Sequence, residues 1–180
     1  MAKNEVKNEV FEDLQNREVI FRNFAGKTDA YNMAGKKQFS IVLTEERAQD
    51  LSNKGWNVKL WRSKDGEDMT PFLPVEVNYG PYPPKCYLMS GTPNGNGGID
   101  ILNKTLLNEE TIVELDHANF EKVDIIVSPY QWEWNGRSGI KAYAKAIYAT
   151  VALDPLELKY ANVGQNDIYN EDLDEEVPFN

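Results

Sequence analysis

Hydrophobic and polar positions keep a strand rhythm most clearly between Val123 and Ala152. Val123-Asp124-Ile125-Ile126-Val127 is a β-branched run, and such residues suit a pleated, half-buried surface. Tyr130, Trp132 and Trp134 then alternate with Gln131, Glu133 and Asn135, the period-two signature of a strand. Asn135-Gly136-Arg137-Ser138-Gly139 carries turn chemistry, because Asn-Gly tolerates the positive φ of a tight hairpin. The returning stretch, Ile140 to Ala152, holds neither Pro nor Gly. After the turn, Ile140, Ala142, Ala144 and Ala146 form a small apolar face suited to a core, while Arg137, Lys141, Tyr143 and Lys145 interleave cations with an aromatic ring.

Upstream, the pattern predicts shorter strands. Arg17 to Phe24 is the first, followed by a loop with Lys27, Tyr31, Lys36 and Lys37. Gln38 to Leu43 is the second, with Phe39, Ile41 and Leu43 inward. Thr44 reads as an N-cap with Glu45 and Glu46 in the first turn, so a helix is predicted to about Lys54, stopped by Gly55. Asn57 to Lys64 is a third strand with Lys59 and Trp61 on one face; Trp61 is either a stacking platform or the edge of the core, the commoner fate of Trp. Phe72 to Tyr79 is a fourth, with Leu73, Val75, Val77 and Tyr79 inward and Pro74 suggesting an edge position. Pro81, Pro83 and Pro84 make a rigid link to a strand from Lys85 to Ser90. The glycine-rich loop Gly91 to Gly98 lacks the Gly-Lys-Ser/Thr ending of a phosphate-cradling loop. Asn108 caps a short helix through Asp116, and Leu156 to Tyr160 reads as a closing helical piece.

The implied fold is mainly β. A five-stranded OB-type barrel with extra strands and two or three short helices fits residues 17–163, and a β-sandwich of the same size fits the same pattern. Residues 1–16 form an N-terminal extension, either a short amphipathic helix or disordered. Residues 164–180 read as a disordered acidic tail.

Composition narrows the chemistry. Cys86 is the one cysteine, which rules out an intramolecular disulfide and fits a reducing compartment. No secretory signal opens the chain and no apolar run reaches membrane-span length, so a soluble protein of the cytoplasm is expected. His117 stands alone and has no metal-ligand spacing to Cys86, and no nucleophile elbow or paired-His motif occurs, so neither a metal, a cofactor nor catalysis is expected. The net charge of −10 speaks against nucleic acid until its distribution is considered. Asp167, Glu171, Asp172, Asp174, Glu175 and Glu176 crowd the last fourteen residues without a Lys or Arg. The 29 acids less these six, against 19 bases, leave a body of charge −4, so any anion-binding face must be a local patch. Cations spaced among aromatic rings can attract a phosphate backbone and stack bases, or can simply keep a solvent-facing strand soluble.

The tail carries a resemblance. Acids followed by an apolar tip, Glu175-Glu176-Val177-Pro178-Phe179, resemble the end of the single-stranded DNA-binding proteins, whose bacterial members finish in acids followed by Ile-Pro-Phe. The body, through Phe21-Arg22-Asn23-Phe24-Ala25-Gly26-Lys27 and Asn135-Gly136-Arg137-Ser138-Gly139-Ile140-Lys141-Ala142-Tyr143, is similar to phage-encoded members of the OB-fold class. Asn180 follows Phe179 where the bacterial family ends on the Phe carboxylate.

The resemblance implies a protein of phage DNA replication or recombination that coats single-stranded DNA without sequence preference. The side chains it singles out are Arg22, Lys27, Tyr31, Lys36, Lys59, Trp61, Trp132, Trp134, Arg137, Lys141, Tyr143 and Lys145. Trp132 and Trp134 lie on one face of their strand, so both are expected in the core or both exposed. In the tail, Asp172, Asp174, Glu175, Glu176, Val177, Pro178 and Phe179 would meet replication or recombination proteins, and the acids would compete with DNA. Homo-oligomer formation stays open. The other reading is an interaction protein without DNA binding, a virion accessory or host-factor inhibitor whose acidic surface imitates DNA.

Overall fold

The longest ladder is the antiparallel hairpin of β8 (Lys122–Trp134) and β9 (Arg137–Ala152), which pairs Lys122 with Thr150 at one end and Trp134 with Arg137 at the other. Asn135 and Gly136 make its turn with φ of 50° and 75°, as a two-residue primed turn requires. Between Ile126 and Val127 the partners step from Ala146 to Ala144, which leaves Lys145 as a bulge residue. The structure, a computed structural model, describes residues 6–30, 32–62, 66, 68–154 and 156.

Seven more strands are found among the described residues: β1 (Glu9–Leu14), β2 (Val19–Asn23), β3 (Lys37–Val42), β4 (Lys59–Arg62), β5 (Met69–Val77), β6 (Lys85–Pro93) and β7 (Ile99–Leu107). The sheet runs β1-β8-β9-β5-β3-β2, with β4 added on β5 and the β6–β7 hairpin added on β9. Its two ends are consecutive segments of chain, β1 and β2, joined by a 3-10 turn at Asn16–Glu18. Along this path only β5–β9 is parallel. The result is a curled open sheet, a half-barrel consistent with an OB-like fold.

Alternation along each strand builds the core. Phe39 and Ile41 of β3, Leu73 and Val75 of β5, Val123, Ile125 and Val127 of β8, and Ala142, Ala144, Ile147 and Ala149 of β9 are all buried in one cluster. Leu51 of helix α1 (Glu45–Asn53) and Ile112 and Leu115 of the 3-10 segment Thr111–Asp116 join it. The Thr44 hydroxyl accepts from the Arg47 N–H at 3.2 Å, and Gly55, at φ 96°, lets the chain leave the helix.

Three expectations are corrected. Glu9–Leu14 is a strand rather than a helix or a loose end, because Phe11 and Leu14 find a partner in β8. Pro74 lies in a central strand: β5 pairs with β4 through Phe72 and with β9 from Val75, so the missing N–H of Pro74 falls in the gap between them. Ile99–Leu107, which the pattern left unassigned, is β7, and the glycine-rich loop contracts to a hairpin turn. Gly91 is obligatory there, since a Cβ would stand 1.9 Å from the Asp100 carbonyl oxygen. The helical piece expected at Leu156–Tyr160 lies, apart from Leu156, outside the described residues, as does the whole acidic tail.

Candidate nucleic-acid interface

Side chains that do not enter the core stand on the outer face of the same strands. On β5 these are Thr70, Phe72, Pro74 and Glu76. Cross-strand register sets Lys59 opposite Phe72, Trp61 opposite Thr70, and Tyr143 beside Glu76. On the hairpin it sets Lys141 opposite Tyr130, Gly139 opposite Trp132, and Arg137 opposite Trp134.

Two aromatic groups result. In the first, Phe21 meets Trp61 and Phe72 edge-on, with ring centroids 5.5 and 5.4 Å apart. Trp61 is 41% exposed and Phe21 51%, so Trp61 is a surface ring rather than part of the core. In the second, Tyr130 meets Tyr143 edge-on at 5.5 Å, and the strand continues to Trp132 and Trp134. Trp134 is 71% exposed; Trp132 is half-buried because its indole lies against Gly139, where a Cβ would come within 2.8 Å of the ring. The two tryptophans therefore share a face, and neither is in the core.

Glu76 sits between these groups. Its carboxylate is 3.1 Å from the Lys36 ammonium and 4.0 Å from that of Lys141. It also faces the Tyr143 hydroxyl, whose pKa is pushed up to about 12, first by burial and then by this carboxylate. Both ammonium ends are half-exposed while the Glu76 carboxylate is largely buried, so each lysine keeps a solvent-facing side that a phosphate can approach.

The loop between β2 and β3 is held at both ends. The Asn32 amide donates to the carbonyls of Lys27 and Lys36 and accepts from the Lys36 N–H. The N–H groups of Phe24 and Ala25 donate to the Asp116 carboxylate. Lys27 is left exposed, and Tyr31 lies outside the described residues. The other flank is equally fixed: backbone bonds from Ile140 to Gly55 and from Asn57 to Ile140 tie the start of β9 to the end of α1.

Arg22 does not join this face. Its guanidinium makes five hydrogen bonds, to the carbonyls of Val19, Leu115, Ala118 and Asn16 and to the Asn16 side chain, and stands 4.2 Å over the Phe120 ring. It ties β2 to the Asn16–Glu18 turn and to the end of the 3-10 segment Thr111–Asp116, and has no donor left for a phosphate. The tail residues Asp172, Asp174, Glu175, Glu176, Val177, Pro178 and Phe179 lie outside the described residues.

In OB-type barrels, oligonucleotides bind across the second and third strands between the first–second and fourth–fifth loops. With Glu9–Asn23 taken as one bent strand, these are β3, β5, the Lys27–Lys36 loop and the Asn135–Gly136 turn. The model of the family described as "Putative phage ssDNA-binding domain" matches residues 3–178. This chain belongs to the phage ssDNA-binding domain family. No curated protein and no solved structure matches it. Single-stranded DNA is thus the partner of this phage ssDNA-binding domain. Among the described residues no helix is long and apolar enough to cross a membrane, and no cluster of His, Cys, Asp or Glu is arranged to hold a metal.

Some residues of the domain's outer face were not singled out by the pattern. Phe21 is two positions from buried Val19 and should share its inward face. A bulge between Ile20 and Asn23 and a φ of 51° turn it outward. Phe72 takes an outward position of β5, and Tyr130 shares the face of Trp132 and Trp134, which alternation alone left open between core and surface. Glu76 became meaningful only once β9 was placed beside β5.

Proposed function

We propose that this domain coats single-stranded DNA without sequence preference during phage DNA replication or recombination, in the cytoplasm of the infected bacterium and without an enzymatic activity of its own. The observation that carries the reading is the single outer face from Trp61 and Phe21, past Glu76, to Trp134, on which exposed rings alternate with Lys59, Lys36, Lys141 and Arg137. Stacking on rings is indifferent to base identity, and phosphate neutralisation is indifferent to sequence altogether. A DNA strand would displace Glu76 from its lysines and lie between the Lys27–Lys36 loop and the hairpin tip.

The acidic tail would compete for the same cations and, when displaced by DNA, offer Val177-Pro178-Phe179 to replication or recombination proteins. The test is an anisotropy titration of full-length protein with labelled oligo-dT and the matching duplex at two salt concentrations. Tight, salt-sensitive preference for the single strand is expected. No binding to oligo-dT at low salt, with or without residues 167–180, would leave the non-DNA interaction protein as the better reading.

A further inference from the structure

A groove of about 680 Å³ opens beside the outer face, between the proline-rich link from β5 to β6 and the hairpin. Three tyrosines line it: Tyr130 and Tyr143 from the hairpin, and Tyr82 from the link. Tyr82 is 93% exposed and so contributes nothing to the core. It is nonetheless held, because Pro81 and Pro83 restrict its backbone on both sides and Asn78 closes the link by accepting the Gly80 N–H at 2.9 Å. A backbone restricted in advance loses less entropy when a ligand stacks on the ring it carries.

The charge of the groove is one-sided. Lys85 and the bulge residue Lys145 line it, both exposed, and among the described residues no carboxylate lines the groove or pairs with either lysine. Neighbouring grooves differ: the one beside Lys36 holds Glu76 and Glu109, and the one under the β6–β7 turn holds Asp13, Glu121 and Asp124. Aromatic walls with unpaired cations and no acid fit an anion that carries a planar ring. The volume is that of a small-molecule site.

We propose that this groove is a nucleotide pocket: one base of the bound strand turns out of the row, stacks on Tyr82 against the Tyr130–Tyr143 pair, and leaves its flanking phosphates on Lys85 and Lys145. The proposal rests on the single-stranded DNA reading above and adds a contact that a duplex, with its bases paired inward, cannot make.

Full-length protein is titrated with oligo-dT and with an oligomer of the same length in abasic residues. Tyr82→Ala should weaken oligo-dT binding at least fivefold, at about 1 kcal/mol or more per stacked base, and leave the abasic oligomer unchanged. Tyr82→Phe should restore oligo-dT binding. Lys85→Ala with Lys145→Ala should weaken both oligomers and reduce the salt slope by about 1.4, at roughly 0.7 per phosphate contact on a single strand. Unchanged oligo-dT binding in Tyr82→Ala, equal loss on both oligomers, or failure of the Phe variant to restore it overturns the pocket while leaving the DNA-coating reading intact. If the parent protein binds neither oligomer, both are overturned.

Discussion

Two hairpins extend the sheet of this domain, and both carry aromatic rings and cations. In β6–β7, Lys104 lies 4.4 Å over the Tyr87 ring, and Tyr87 is stacked on Tyr148 at 5.5 Å with 11° between the planes. The large hydrophobic side chains that β7 leaves exposed are aliphatic: Ile101, Leu102 and Leu106. In β8–β9 the outer rings Trp132 and Trp134 and the cation Arg137 are not used up on each other, and Lys141 is held only by a distant pair with Glu76. Composition alone does not separate the two. Capacity for a ligand resides in the groups that the fold has left without a strong partner of their own.

That contrast can be broken by substitution. Trp132→Ala with Trp134→Ala is expected to cost about 2–6 kcal/mol of single-strand affinity, at roughly 1–3 kcal/mol per stacked base, measured by anisotropy. Leu102→Ser with Leu106→Ser in the other hairpin should leave affinity unchanged; equal losses from both pairs would erase the distinction. Arg22→Met tests the brace between β2 and the two 3-10 segments. It should lower stability in urea by about 2–4 kcal/mol, since four carbonyl oxygens lose a charged donor, yet leave the salt slope of DNA binding as it was.

Smaller effects sharpen the comparison. Arg137→Ala and Lys141→Ala should each reduce the salt slope by about 0.7, whereas Lys104→Ala should not change it. Smallest is an alkaline effect on stability. Burial pushes the Cys86 thiol up to about 12, and Tyr143 is raised to about 12 as well. Both are neutral in either state at pH 7. Between their ordinary values, 9.0 and 10.0, and 12, the unfolded chain releases protons that the folded chain retains, so stability should fall as pH rises through that range. Urea midpoints at pH 8 and pH 11 check this, and Cys86→Ala should shrink the difference.

The hairpin, the alternating core and the α1 caps were legible because each depends on neighbours in sequence: Asn135-Gly136 dictates its turn, and Ile140, Ala142 and Ala144 keep period two. What escaped depends on distant partners. Glu9–Leu14 becomes a strand only against β8, and Pro74 becomes tolerable only because two neighbouring strands leave a gap at it. Arg22 and Arg137 look alike in sequence, each a cation in a strand beside aromatics. The carbonyls of Leu115 and Ala118, more than ninety residues away, engage the first, and among the described residues nothing comparable reaches the second.

The position of β9 has a consequence for how this protein comes into being. Among the described residues it is the last strand in sequence, yet it borders β5, β6 and β8 at once. A ribosome-bound chain that has not yet released residues 137–152 has both halves of the sheet and no strand between them. Contacts of such long sequence separation make folding slow, and the DNA face then forms all at once. A fragment ending before Arg137 would keep Lys27, Lys36 and Lys59 but would lack Arg137, Lys141, Tyr143 and Lys145 together with the strand that joins the two halves of the face.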